Sequence, residues 1–302
     1  MSRSSTPQPI FWRDSRLPHV ELRVVEDGRK VCYAPHTHTQ WSMGAITAGQ
    51  STFVYVDRHY RVSAGSLVFM NPEWVHNCNP IENQPWAYLM LYVDAEWLAR
   101  LRFRLGLIDE PVWQDLDCDV SRSEPLFLGF RALADCLLDE QVPIPQKRDR
   151  TEAFLSEVMV TVSAPSVQPD RPFPPAPGPV QELARYLDDH CVDELSLEWM
   201  AERVALSPSH LVRVFRKHFG MTPHAYQINR RIQLGQRALK QGAPIADAAL
   251  AAGFFDQPHF QRVFKRLVAA TPGQYGRPLI ENQVQATRRE QDGEGAINRT
   301  QE

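Results

Sequence analysis

Two segments 49 residues apart carry the same groups in the same order. The first runs Ser207, Pro208, Ser209, His210, Leu211, Val212, Arg213, Val214, Phe215, Arg216, Lys217, followed by Gly220, Thr222 and Pro223. The second runs Asp256, Gln257, Pro258, His259, Phe260, Gln261, Arg262, Val263, Phe264, Lys265, Arg266, followed by Thr271 and Pro272. The chemistry open to such a set is recognition of a nucleic-acid groove. An arginine fork matches guanine O6 and N7, and a glutamine amide matches adenine N6 and N7. Ser209 and Arg213 in the first copy, and Gln257, Gln261 and Arg262 in the second, fall on early, outward turns and are the candidates for base contact. Arg216, Lys217, Lys265 and Arg266 come later and suit phosphate. His210 and His259 either cap and pack or read bases.

The residues between these groups predict the elements that hold them. Ser207 and Asp256 are N-cap residues, and Leu211 with Phe215, like Phe260 with Phe264, forms an i, i+4 apolar stripe that faces inward. A helix over Val180–His190 comes first, with Leu183, Tyr186 and Leu187 inward. Ser196 then caps a second helix carrying Trp199, Met200 and Val204. The turn Ala205-Leu206-Ser207 joins this helix to the first basic helix, the order of a helix-turn-helix unit. Thr222-Pro223 opens a long helix to about Gln241, with Gly242 beyond it as a C-cap glycine. A short alanine-rich helix, Ala246–Ala252, and the turn Gly253-Phe254-Phe255 lead into the second basic helix, His259–Leu267. Charge follows the same boundary. The 302-residue chain has a net charge of −3, yet Arg203–Arg277 holds twelve Lys/Arg against Asp247 and Asp256, a net +10 that leaves −13 for the rest. Such a basic patch supplies non-specific affinity for DNA.

Seven prolines lie between Pro165 and Pro179, where neither helix nor sheet can run. This stretch reads as a semi-rigid linker. From Glu281 onward the chain is polar and aperiodic and reads as a disordered tail. The predicted organisation is therefore 1–164, an N-terminal domain; 165–179, the linker; 180–280, a helical domain; and 281–302, the tail. Before the linker, Thr52–Val56, Tyr60–Val62, Ser66–Met70 and Tyr88–Val93 are short Val/Tyr/Phe/Leu runs bounded by turns at Asp57-Arg58, Ala64-Gly65 and Asn71-Pro72, which suggests a small barrel or sandwich. Asp94–Leu107, Glu124–Glu140 and Asp149–Ser163 change to helical period, with an apolar face through Phe127, Phe130, Leu133 and Leu137 that either dimerises or packs back on the barrel. The 43% hydrophobic and 23% charged composition is that of a soluble globular protein. Five scattered cysteines without a CxxC pair argue against a disulfide framework or zinc knuckle and point to a reducing cytoplasm. The N-terminus lacks a signal-peptide run, and no apolar run is long enough to span a membrane.

Ile245, Ala248, Ala249, Gly253, Phe254, Asp256, Gln257, His259, Phe260, Arg262, Phe264, Lys265, Arg266, Thr271, Pro272 and Tyr275 together resemble the signature of AraC-type transcription regulators. The resemblance covers about residues 178–280. It implies paired helix-turn-helix units on double-stranded DNA, with the residues matching Arg213 and Arg262 at base edges and the two helices about 34 Å apart in successive major-groove segments. The chain departs from the pattern at Ala269, where the first copy has Gly220, and at Gly276, where an arginine is common. Over residues 20–95, Pro35-His36-Thr37-His38 with Gly65, Asn71-Pro72 and His76 resembles the histidine motifs of cupin barrels attached to such DNA-binding units. The implied fold class is α+β in two domains: a cupin-like barrel with flanking helices, and an all-α double helix-turn-helix domain. His36, His38, Trp41, Trp74, His76, Trp86 and Tyr88 are the candidates to line an effector pocket, with structural packing as the plain alternative. His36, His38 and His76 could hold zinc, iron or manganese. No carboxylate occurs among Thr39–Met43, however, so no metal, no other cofactor and no catalytic residue is assigned. The expectation is a non-enzymatic, cytoplasmic regulator, more an activator than a repressor. It binds a small-molecule effector, forms a homodimer, and contacts RNA polymerase as resembling activators do. A metal-dependent cupin enzyme with an accessory DNA-binding domain, and a regulator without a ligand, are the competing readings.

Overall fold

Alternating burial along the strands builds the N-terminal half as two facing antiparallel sheets. The computed structural model describes residues 8–29, 31–163 and 174–277. Its strands are β1 (Ile10–Trp12), β2 (Val20–Val25), β3 (Trp41–Ala48), β4 (Gln50–Tyr55), β5 (Arg58–Ser63), β6 (Leu67–Met70), β7 (His76–Pro80), β8 (Ala87–Val93) and β9 (Val120–Ser121). One sheet has the order β1-β2-β8-β3-β6-β9 and the other β5-β4-β7. The register pairs Glu21 with Tyr92, Arg23 with Met90 and Val25 with Tyr88, so these six share one face of the larger sheet. The opposite face, through Leu22, Trp41, Met43 and Leu91, packs under the helices α1 (Ala95–Arg104), α2 (Glu124–Leu138) and α3 (Ile144–Val162). Phe130, Leu133 and Leu137 are in that core, so the apolar helical face packs back on the barrel. The predicted strands fall within or beside β4, β5, β6 and β8. β1, β2, β3, β7 and β9 lie outside them, and the first turn is at Val56-Asp57, one residue earlier than expected.

The C-terminal half is helical: α4 (Gly178–Asp189), α5 (Leu197–Arg203), α6 (Pro208–Phe219), α7 (Pro223–Lys240), α8 (Ile245–Ala251), α9 (Gln257–Val268) and α10 (Pro272–Gly276). α4–α6 enclose one core, with Leu183, Leu187, Leu211 and Phe215 at its centre, and α7–α10 enclose another, with Phe254, Phe260, Phe264 and Tyr275. Most of the predicted linker, residues 165–173, and the predicted tail lie outside the described residues. The described end of the linker turns into α4 at Gly178, with Pro179 in the first turn, where proline's missing donor costs nothing. The five cysteines are free thiols. Among the described residues no helix is long and apolar enough to cross a membrane.

Candidate nucleic-acid interface and effector chamber

α6 and α9 are built alike. The Ser207 hydroxyl accepts the His210 amide at 3.3 Å, and the Asp256 carboxylate accepts the His259 amide at 2.6 Å. Leu211, Phe215, Phe260 and Phe264 are each 0% exposed. Those anchors turn Ser209, Arg213, Arg216 and Lys217 outward on α6, and Gln257, Arg262, Lys265 and Arg266 outward on α9, with Gln261 half-buried. None of the six cationic side chains forms an ion pair among the described residues. His210 is exposed, and His259 lies edge-on to Phe254 at 5.3 Å.

Other cations of the basic segment are consumed internally. Arg230 pairs with Glu73 of the barrel and Asp188 of α4, both at 2.7 Å, and Lys240 pairs with Glu21 of the barrel at 2.7 Å. Arg231 donates to the carbonyls of Cys191 at 2.6 Å, Asp193 at 2.9 Å and Gly253 at 2.9 Å. It therefore ties the loop after α4 to the turn before α9, and with them the two helix-turn-helix units. Gln227 reinforces it with bonds to Cys191 and Asp193. Six of the outward cations of this segment therefore lie on α6 and α9, with exposed Arg203, Arg237 and Arg277 outside them.

The barrel histidines form a cluster, with ring centroids 4.5 Å apart for His36–His76, 4.7 Å for His38–His76 and 6.3 Å for His36–His38. In each, Nδ1 lies against a backbone carbonyl: Ala34 at 2.9 Å, Gln40 at 2.7 Å and Trp74 at 2.8 Å. A carbonyl only accepts, so Nδ1 carries the proton and each neutral ring presents Nε2 as an acceptor. Burial pushes His38 down to about 3 and His76 to about 4, and burial with the neighbouring His76 holds His36 well below the usual range. Among the described residues no group of His, Cys, Asp or Glu has the arrangement to hold a metal ion. The three-histidine set also lacks a carboxylate among Thr39–Met43.

His36, His76, Trp86 and Tyr88 line an interior void of about 30 Å³, with Tyr33, Met90 and Tyr92. His36 and His38 line a second void of about 40 Å³ at the barrel mouth, with Arg23. Trp74 lines neither void, contrary to expectation: it stacks on Tyr55 at 5.2 Å and faces a cleft lined by Pro174 and Phe219. Trp41 stacks on Phe69 at 6.1 Å in the core under the helices, because odd positions of β3 face that side while Ser42 and Ile46 face the barrel. The two voids have room for a few waters and are too small for a metabolite.

The helical domain closes the mouth. Asn229 of α7 exchanges bonds with Thr37, at 3.2 Å from its amide N–H and 2.8 Å to its hydroxyl, and Gln233 donates to the Thr37 carbonyl. Arg13 donates to the Tyr275 carbonyl at 2.6 Å. Arg23 donates to the carbonyls of Val268 at 2.7 Å and Ala269 at 3.0 Å, at the end of α9. Composition and period single out none of Arg23, Glu21, Asn229 or Arg231. The available signal was a pair of charges, Glu21 and Arg23, two residues apart inside the apolar run VELRVV.

Comparison with known proteins bears on both halves. A family profile described as an AraC-like ligand binding domain matches residues 19–158, and one described as a helix-turn-helix domain matches residues 200–277. The chain is 26% identical to the HTH-type transcriptional regulator YbfI of Bacillus subtilis over 80% of this chain and 86% of that one. It is 34% identical to the arabinose operon regulatory protein of Escherichia coli over 34% and 36% of the two chains. Against the HTH-type transcriptional activator RhaS of Pectobacterium carotovorum it is 23% identical over 80% and 87%. The fold is similar to that of an apo ToxT variant from Vibrio cholerae, with a TM-score of 0.52, 13% identity, and coverage of 89% and 95% of the two chains.

Proposed function

Because the chain belongs to the AraC-type DNA-binding transcription regulators, with a ligand-binding domain at its N-terminal side, we propose that α6 and α9 read operator DNA and that the barrel holds the effector which controls them. Ser209 and Arg213, and Gln257, Gln261 and Arg262, contact base edges; Arg216, Lys217, Lys265 and Arg266 grip phosphates. The carrying observation is that the outward cations of α6 and α9 are unpaired among the described residues, while Arg230, Arg231 and Lys240 are bound within the protein. Unpaired surface cations beside DNA release counterions, and that release makes binding salt-dependent.

In this reading the barrel performs no catalysis, and His36, His38, His76, Trp86 and Tyr88 recognise a ligand. The effector acts through its unequal affinity for two arrangements of the domains, since equal affinity shifts nothing. The chain works in the cytoplasm as a homodimer and activates by touching RNA polymerase. Two members of α2 and α3, Leu128 and Val160, remain more than half exposed and are available to a second copy.

Binding of the full chain to its own upstream DNA, titrated with salt, tests the reading. Arg213→Ala and Arg262→Ala should each cost about 1–3 kcal/mol on the operator and relax one position of its sequence. Lys265→Ala should weaken operator and scrambled DNA alike and flatten the salt dependence by about one counterion. Equal weakening of both DNAs by Arg262→Ala would remove the base-reading role.

A further inference from the structure

Arg23 is a buried cation without an anion. Its residue is 1% exposed, and among the described residues its guanidinium makes no ion pair. Two of its nitrogens donate to the Val268 and Ala269 carbonyls, and the Tyr92 hydroxyl is a further neutral partner. Ring faces of Phe11, Tyr33 and Tyr88 surround it at 5.2, 5.5 and 5.9 Å. The buried carboxylate two residues away on the same face, Glu21, is already paired with Arg13 and Lys240. Neutral carbonyls and ring faces return less to a desolvated guanidinium than a carboxylate would, which would engage two nitrogens at once.

The same mouth carries the complementary feature. His36 and His38 line it beside Arg23, each with Nδ1 committed to a backbone carbonyl; Nε2 of His38 accepts from the Ser42 hydroxyl at 3.3 Å, and Nε2 of His36 is left as an acceptor. A ligand that satisfies the mouth therefore needs an anion for Arg23 and a hydroxyl donor for the His36 imidazole. The void of about 40 Å³ is too small for such a molecule unless something leaves. The groups that can leave are the carbonyls of α9, because they belong to the other domain.

Resting on the reading of the barrel as the effector domain, the geometry points to a small hydroxylated carboxylic acid as the effector. Its carboxylate takes Arg23 from Val268 and Ala269, and its hydroxyl donates to Nε2 of His36. The exchange removes two of the bonds by which the barrel holds the C-terminal end of α9, leaving the Ala34 amide on the Arg266 carbonyl, so the acid loosens the second DNA-reading unit and lets it change its angle to the first. The ligand competes with the domain contact, which gives it the differential affinity that regulation requires.

The test uses the full chain and three acids, lactate, gluconate and 4-hydroxybenzoate, each beside its neutral primary amide. Binding is measured by calorimetry, and amide hydrogen exchange is followed over residues 267–270. At least one acid should bind tenfold or more tightly than its amide and should speed exchange over 267–270. Arg23→Gln should lose that preference and exchange faster there without ligand. Amides binding as well as acids, none of the acids binding, or an acid binding Arg23→Gln undiminished would each overturn the assignment. The acid–amide comparison stands on wild-type protein alone should Arg23→Gln fail to fold. Operator binding by the same preparations separates the failures: if it persists, only the ligand class falls, and if it is absent, the regulator reading falls with it.

Discussion

Ala269 adopts the left-handed region, with φ 50° and ψ 32°, at the C-cap where α6 ends on Gly220 with φ 71°. The left-handed conformation costs a residue with a Cβ about 1–2 kcal/mol, yet the Ala269 methyl is buried among the barrel's interior residues. Burying one methyl returns roughly 0.8 kcal/mol. The two effects nearly cancel, but they act in different places: strain lies within the helical domain, and the methyl contact lies between domains. Ala269→Gly should therefore shift the unfolding free energy by less than about 1 kcal/mol while loosening the domain contact, seen as faster hydrogen exchange at the Ala34 amide that bonds Arg266. A loss well above that figure would show that the methyl matters more than the strain. At this scale the sequence was legible where residue type alone carries chemistry, as with the three histidines and the outward arginines. Arg23 was not legible, because nothing local separates an arginine buried against a distant helix end from one at the surface. Trp41 was misplaced among the pocket candidates for a related reason: its side of the sheet depends on a register that its type does not reveal.

At the scale of the element, α7 is the part both domains share. Its Asn229, Arg230 and Gln233 face the barrel mouth, Arg231 binds the two helix-turn-helix units together, and Gly235 receives the ring of Phe260. A Cβ at position 235 would lie 2.6 and 2.8 Å from two ring carbons of Phe260, which is fully buried and has nowhere to swing. Gly235→Ala gains about 1 kcal/mol of helix propensity and loses about 1–3 kcal/mol to overpacking. We expect the loss to win, so that the variant unfolds at lower denaturant and α9 moves relative to α6, weakening operator binding more than binding to scrambled DNA. A variant more stable than wild type would contradict the close approach. The helices of this half were readable from sequence because caps, period and repeat agree. Strands β2 and β3 were not: Glu21 and Arg23 interrupt the apolar run of one, and the other is buried on both faces and shows no alternation. The short α10, whose Tyr275 completes the core around Phe264, is too brief for a periodic signal.

Across the whole molecule, the groups that join the domains also make it sensitive to acid, in a defined order. Above pH 6.5 the chamber histidines are neutral in both folded and unfolded chains and cost nothing. Below that, the unfolded chain binds protons that the folded one refuses, down to about pH 4 at His76 and about pH 3 at His38. A state that binds more protons gains as pH falls, so stability drops through this window by up to about 1.4 kcal/mol per pH unit for each histidine. Glu21 acts later. Burial pushes its carboxyl up, but Lys240 and Arg13 outweigh this and hold it at about 2, so its contribution is present above about 4.5 and lost as pH falls towards 2. Denaturant unfolding of wild type should therefore show the midpoint falling between pH 6.5 and 5, before Glu21 titrates. His76→Asn removes one of the titrating rings and should make that fall shallower, while the loss that Glu21 contributes as pH falls towards 2 remains. A midpoint that stayed flat to pH 5 would mean the imidazoles reach water in the folded chain. The chamber would then be open without a ligand, and an effector would have no closed mouth to release.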